Sequence, residues 1–229
     1  MAIGRRERAR QEKQDRIFAA AADLFDTHGF DRVTTQQIAE RADIGAGTLF
    51  RYAASKGELF LMVFNRRFAA AVEAGSQAAR GEADLTAAVC AQIEPVLTWA
   101  GDLDDAAHYQ RELLFGDASE PYRAEGLAIV ADLERRIAGL LLTARPGTAR
   151  QAHRAARSVF AVLNLLLVQP LNPLHLDDDA TTELRAQVAQ IVAGYLHTVP
   201  EAPRRLTTDE DEPHHHEWKE RHASHQRQL

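Results

Sequence analysis

From Asp15 onward the apolar positions fall at Ile17, Phe18, Ala21, Leu24 and Phe25. That i, i+3, i+4, i+7 stripe predicts an amphipathic helix. It stops at His28-Gly29, with Gly29 as the C-cap. Thr34 and Thr35 then offer an N-cap, and Thr34 with Gln37 has capping-box spacing, so a short helix is predicted over 36–42. Asp43-Ile44-Gly45 breaks the chain before a second short helix over 46–52. Ser55 caps a long helix that carries Leu59, Phe60, Val63, Phe64, Phe68 and Val72 on one side.

The same periodicity continues over 84–100, 104–115, 120–144, 148–169 and 179–198. Leu127, Val130, Leu133, Ile137 and Leu140 keep 3–4 spacing, as do Leu184, Val188, Ile191 and Tyr195. Pro146-Gly147 and the stretch from Pro170 to Pro173 separate the later helices. No alternating β pattern of useful length occurs, so the fold class is all-α. Residues 200–229 hold three Pro, five His and almost no aliphatic side chain, a composition that predicts a disordered tail.

Charge divides the chain. Residues 1–67 carry 12 basic and 9 acidic side chains, a net +3; the remainder carries 15 and 24, a net −9. The basic head is the end expected to meet a polyanion. Cys90 is the only cysteine, which excludes an internal disulfide and fits a reducing compartment. The start, MAIGRRERARQEKQDR, has no apolar core of a secretory signal, and Val159–Val168 falls short of the ~20 apolar residues a membrane span needs. A cytoplasmic protein with no membrane partner is expected.

The chemistry is concentrated in Thr34–Lys56, TTQQIAERADIGAGTLFRYAASK. Two short helices meet across a three-residue break. Ile38 and Leu49 are inward anchors, and Ala39 is small where the helices cross. This is the arithmetic of a helix-turn-helix, whose second helix lies in the DNA major groove. That helix is too short and polar to serve burial alone. It carries Thr48, Arg51 and Tyr52 outward beside Gly47.

Residues 15–67 resemble the DNA-binding domain of the TetR/AcrR family of bacterial transcriptional repressors. The resemblance rests on Phe25…Gly29-Phe30, Thr34-Thr35, Ile38-Ala39, Ala42-Asp43-Ile44-Gly45, Gly47-Thr48-Leu49-Phe50-Arg51-Tyr52-Ala53 and Ser55-Lys56-Gly57-Glu58-Leu59. Four positions depart from the family pattern. Asp43 replaces the turn glycine, and Asp tolerates a left-handed backbone. Gly45 replaces a capping Ser at a cost of a few tenths of a kcal/mol. Phe50 replaces the common Tyr, and Ala53 stands where a buried ring is usual. DNA binding is expected to persist with an altered sequence preference.

The resemblance implies the roles and the division of the chain. Thr35 and Gln36 face phosphate or a base edge; Gly47, Thr48, Arg51 and Tyr52 form the groove-facing set; Lys56 clamps a phosphate. Arg5, Arg6, Arg8 and Arg10 form a basic arm for a neighbouring phosphate or the minor groove. The arm is residues 1–14 and the three-helix DNA-binding domain 15–67. A larger helical effector-binding and dimerisation domain follows over 68–199, with the tail at 200–229. The apolar run VFAVLNLLLV over 159–168 and the helix after it are implied to form a four-helix interface between two chains, through Phe160, Leu163, Leu167, Val188, Ile191 and Tyr195. The middle helices would enclose a pocket for a small, mostly hydrophobic effector, with Trp99, His108, Tyr109, Phe115, Tyr122 and Asn164 as candidate contacts.

The function expected is a ligand-responsive repressor that binds a palindromic operator as a homodimer and is released by its effector. The rival reading is a helical interaction module with a decayed DNA-binding motif. No metalloprotease, phosphate-loop or nucleophile-elbow motif occurs, so no enzymatic activity, metal or cofactor is expected.

Overall fold

The computed structural model describes residues 4–99, 103–117, 119–168 and 179–198. The tail at 200–229 and the proline-bounded stretch at 170–173 lie outside them. The described residues form α1 (Arg5–Arg32), α2 (Thr35–Arg41), α3 (Ala46–Leu49), α4 (Lys56–Ala79), α5 (Leu85–Trp99), α6 (Leu103–Phe115), α7 (Pro121–Ala144), α8 (Ala149–Leu166) and α9 (Ala180–Thr198). No strand occurs among them. No helix among them is long and apolar enough to cross a membrane.

The predicted stops and starts have visible causes. Gly29 breaks α1 with φ 72° and ψ 169°, a conformation open to glycine. Thr34 and Gln37 form the reciprocal capping box of α2: the Gln37 amide donates to Thr34 Oγ1 at 3.2 Å, and the Thr34 amide to Gln37 Oε1 at 2.8 Å. Asp43 takes a left-handed φ of 54° in the turn. Ser55 Oγ accepts the Glu58 amide at 3.0 Å and starts α4.

Two elements differ from expectation. Residues 5–14, read as an arm, are helical and continuous with the rest of α1. They are almost wholly Arg, Lys, Glu, Gln and Ala, all strong helix formers. The second motif helix stops at Leu49. Its end tightens into i→i+3 bonds, Arg51 N to Thr48 O at 3.2 Å and Tyr52 N to Leu49 O at 2.8 Å.

α4 is the central element. Its first nine residues after Lys56, Gly57 to Asn65, are all buried, because α1, α6 and α7 cover it on different sides. Phe25, Phe30, Phe60 and Phe64 stack edge-to-face and in parallel between α1 and α4, with ring centroids 4.0–6.1 Å apart. Further along, Gly75 meets the backbone of Gln92 so closely that a Cβ has no room, which sets the α4–α5 crossing. α7, α8 and α9 complete the body, α8 packing on both α7 and α9.

Candidate nucleic-acid interface and effector cavity

The helix-turn-helix hangs on a small core. Ile38, Ala39, Leu49 and Ala53 are buried with Ile17, Ala21 and Phe25 of α1. Outside it, Gln36, Gly47 and Arg51 are exposed, and Thr35 and Thr48 are half-buried. Arg51 Nη2 donates to Thr48 Oγ1 at 3.3 Å, and Gln36 Nε2 donates to Glu40 Oε1 at 2.8 Å. Both contacts are solvent-exposed and readily exchanged for a partner. A Cβ on Gly47 would meet open space, so this glycine leaves room for a surface approaching from outside. Tyr52 is half-buried and packs on the core. One exposed residue of this face was not in the expected set: Phe50, 48% exposed beside Arg51. Its substitution for a common Tyr was the available signal.

Lys56 has partners within the chain. Its Nζ donates to Phe30 O at 2.8 Å and lies 4.1 Å from the centre of the Phe30 ring. It holds the short turn that follows the Gly29 break. The ammonium braces the segment after Gly29 against the start of α4.

The motif is fastened to the body by directional polar contacts. Glu58 is 1% exposed, and both its oxygens are filled: Oε2 accepts the Ala54 amide at 2.9 Å and Oε1 the Tyr122 amide at 2.9 Å. Ser55 Oγ donates to Glu120 Oε1 at 2.7 Å. Asn65 donates to Tyr122 O and accepts from the Tyr109 hydroxyl, each at 2.8 Å. Gln14 of α1 donates to the Tyr122 hydroxyl at 3.0 Å. Burial pushes the Tyr109 and Tyr122 hydroxyls up from the ordinary phenol range, so both stay protonated donors or acceptors at neutral pH. The start of α7 is thus tied to both α1 and α4.

α6 has two working faces. On one side His108 Nε2 stands 3.2 Å from Asp31 Oδ1, with its ring 4.5 Å from that of Phe30. On the other side Ala106, Tyr109, Gln110 and Leu113 border a small cavity of ≈ 20 Å³. Phe68, Val96, Val130, Phe160, Asn164 and Leu167 complete its wall. Gln110 Nε2 donates to Asn164 O at 2.7 Å and closes one edge.

Of the candidate effector contacts, the structure brings together Tyr109 and Asn164. His108 and Tyr122 contact α1 instead, through Asp31 and Gln14. Phe115 is 83% exposed at the end of α6 and is not among the residues that border this cavity. The Trp99 side chain lies outside the described residues. Four residues of the candidate interface set are covered within the chain itself. Leu163 and Val188 are 0% exposed, and Leu167 and Tyr195 are nearly so. They form the core between α7, α8 and α9, and Tyr195 donates to Arg145 O at 2.8 Å. Phe160 and Leu167 line the cavity, and Ile191 is half-buried on that core. The exposed positions of α8 and α9 include Ala161, Leu165, Ala186, Ala189 and Ala193, set among polar residues such as Arg154, Arg157, Arg185 and Gln190.

Residues 17–63 match the family model described as bacterial regulatory proteins, tetR family. Over 60 residues, 26% of this chain, the sequence is 37% identical to the HTH-type transcriptional repressor KstR of Mycolicibacterium smegmatis and 38% identical to KstR of Rhodococcus jostii. These matches span 29% and 28% of the relatives' lengths. Over most of the chain the fold is similar to FadR of Thermus thermophilus in complex with lauroyl-CoA, with a TM-score of 0.63, 24% identity, and 82% of this chain and 97% of that one covered. It is also similar to FadR of Bacillus subtilis in complex with stearoyl-CoA, with a TM-score of 0.57, 17% identity, and 79% and 98% covered.

Proposed function

We propose that this chain, whose residues 17–63 match the model of the tetR family of bacterial regulatory proteins, is a ligand-released repressor that binds a palindromic operator as a homodimer. The observation that carries the reading is the position of α6, whose Tyr109 borders the cavity while His108, one residue earlier, contacts Asp31 beside the motif. A molecule entering the cavity displaces the same helix that bears on the DNA-binding head.

The groove-facing set in this reading is Gln36, Gly47, Thr48, Arg51 and Tyr52, with Phe50 added for contact with apolar base edges such as the thymine methyl. Arg51 is suited to bidentate contact with guanine. Thr35 meets a phosphate at the start of α2. Two heads held ~34 Å apart read successive major-groove faces. Dimerisation uses the outward alanines and Leu165 of α8 and α9, whose small side chains let helices from two chains approach closely.

The effector is a mostly apolar molecule, in keeping with the cavity wall. A pocket for such a ligand has ~300–1,000 Å³, far above the ≈ 20 Å³ present. Binding therefore selects a state in which α6 has moved outward. The ligand releases DNA only to the extent that it prefers that state. Lauroyl-CoA and stearoyl-CoA, found in proteins of like fold, are the first probes to try.

The test is selection of duplexes from a random pool by the full chain, followed by sedimentation and titration with the two acyl-CoAs. A palindromic consensus, a two-chain complex and loss of binding in Arg51→Ala are expected. A monomer on DNA, or selection without a consensus, overturns the reading.

A further inference from the structure

α8 carries its cations at the end where a helix tolerates them least. Arg150, Arg154 and Arg157 are all exposed, and none makes an ion pair among the described residues. At ~100° per residue they fall within about 60° of arc. The buried stripe of the helix, Ala152, Ala156, Val159 and Leu163, lies on the opposite side. The first turn of α8 holds no acidic residue, so the arginines stand uncompensated toward the positive end of the helix dipole. Like charges spaced three or four residues apart on a helix also repel one another.

The helices on either side supply no counter-charge. Gln151 Nε2 donates to Thr198 O at 3.5 Å, which lays the end of α9 beside the start of α8. Along the two flanks, Arg135–Ala144 of α7 and Gln190–Thr198 of α9 contain no Asp or Glu. The same contact fixes where the rest of the chain departs, because residue 199 follows Thr198 next to the basic face. Asp209-Glu210-Asp211-Glu212, the only run of four acids in the sequence, comes after ten intervening residues. Ten residues reach up to ~33 Å, whereas Arg150 to Arg157 covers only ~10 Å of helix.

We propose that the acidic run Asp209–Glu212 docks across the exposed face of α8 on Arg150, Arg154 and Arg157 and ties the C-terminal segment back onto the body. The inference stands apart from the DNA-binding reading. Guanidinium groups match carboxylates in charge and in planar, two-pronged geometry. The tether makes the contact intramolecular at an effective concentration in the millimolar range, so individually weak pairs suffice. Exposed pairs of this kind are screened as the Debye length shrinks from ~30 Å at 0.01 M salt to ~3 Å at 1 M, so salt releases the run. Ala161, on the same arc of α8, belongs to the surface proposed for dimerisation, and a docked run borders that surface.

The test uses the full chain with Trp99→Phe, which leaves Trp218, six residues past the run, as the only tryptophan. Its fluorescence anisotropy is expected to fall to about half between ~0.01 M and ~1 M KCl. Arg150→Gln with Arg154→Gln and Arg157→Gln should give the low value at every salt concentration. So should Asp209→Asn with Glu210→Gln, Asp211→Asn and Glu212→Gln. Exchanging the charges, with Arg150→Glu, Arg154→Glu, Arg157→Glu, Asp209→Lys, Glu210→Lys, Asp211→Lys and Glu212→Lys combined, should restore the high value. Helix content should hold throughout, because the side chains on α8 are exposed. With Trp99 retained, tryptic cleavage after Arg205 should be several-fold faster in the α8 arginine-to-glutamine variant than in the wild-type chain. Anisotropy that ignores salt, or that survives neutralisation of either side, overturns the proposal. So does a loss on Arg6→Gln with Arg10→Gln but not on the α8 substitutions, which would seat the run on α1. A lighter sedimenting species in the α8 variant with unchanged anisotropy overturns it as well, and assigns the arginines to contact with a second copy of the chain.

Discussion

The seam between the head and the body and the wall of the cavity are built on opposite principles. Toward the DNA-binding head, contacts are polar and directional: Glu58 holds two backbone amides, Ser55 holds Glu120, and Lys56 holds the end of α1. Toward the cavity the wall is mostly apolar and leaves a void next to Ala106 and Leu113. Hydrogen bonds fix orientation within a few tenths of an ångström, whereas apolar contact is non-directional and tolerates sliding. The head and the start of α7 are thereby made to move as one piece, and the give lies on the cavity side.

Glu58 is where this contrast breaks most sharply. Glu58→Ala strands the Ala54 and Tyr122 amides in a buried site. Leaving such donors unpaired, and losing bonds to a charged acceptor, costs about 2–3 kcal/mol. Urea unfolding monitored by helix content reads the loss. A cost under about 0.5 kcal/mol, the range of ordinary surface changes, would mean that the head is not locked to α7 through this carboxylate.

A pair of identical substitutions sharpens the same contrast. Ala39 and Ala106 are both buried, but only Ala106 borders a void. Ala39→Val forces two methyl groups into the crossing of the motif helices and should cost about 1–3 kcal/mol. Ala106→Val grows into the cavity and should cost no more than about 1 kcal/mol, while weakening binding of an acyl-CoA probe. Equal melting-temperature losses would show the cavity side to be as tightly packed as the head.

Lys56 separates two kinds of work for one cation. As a brace on the Phe30 carbonyl and ring, its loss in Lys56→Met should cost about 1 kcal/mol and leave the salt slope of DNA binding unchanged. A slope lowered by about one phosphate contact, with stability intact, would return it to the clamp role that the sequence pattern implied.

What the sequence made legible follows from the range of the interactions involved. The head is specified locally. The Thr34–Gln37 box, the left-handed Asp43 and the Gly29 stop each span a few residues and can be read from type and spacing. The existence of all the later helices was equally plain. Which neighbour covers each face was not. VFAVLNLLLV is apolar nearly all round, so its pattern could not say that Leu163 and Leu167 turn inward while Ala161 and Leu165 turn out. Lys56 shows the limit for single residues, because its partner, Phe30, is 26 positions away. Phe115 belongs to the same class: a ring at a helix end has no periodic context to fix its side.

The smallest expected effect concerns pH, and its sign follows from one cluster on the body. Arg136 donates to Glu73 at 2.9 Å, to Asp132 at 2.7 Å and to Ser76 at 2.6 Å, joining α7 to α4. The hydrogen bond and charge of Arg136 hold the Glu73 carboxyl below its ordinary value of 4.5. In the unfolded chain that neighbour is gone. Between the two values the unfolded state binds more protons, so stability rises with pH there. The contribution is complete above the ordinary carboxylate value and disappears as pH falls through the lowered folded one. Glu73 lies at the surface, where solvent screening keeps the effect small. Glu73→Gln should therefore lower the melting temperature slightly at pH 7, and the difference from wild type should shrink toward zero on acidification. A difference that persists undiminished in acid would assign the cost to packing of the side chain, and the α4–α7 contact would then belong with the apolar, sliding side of the molecule.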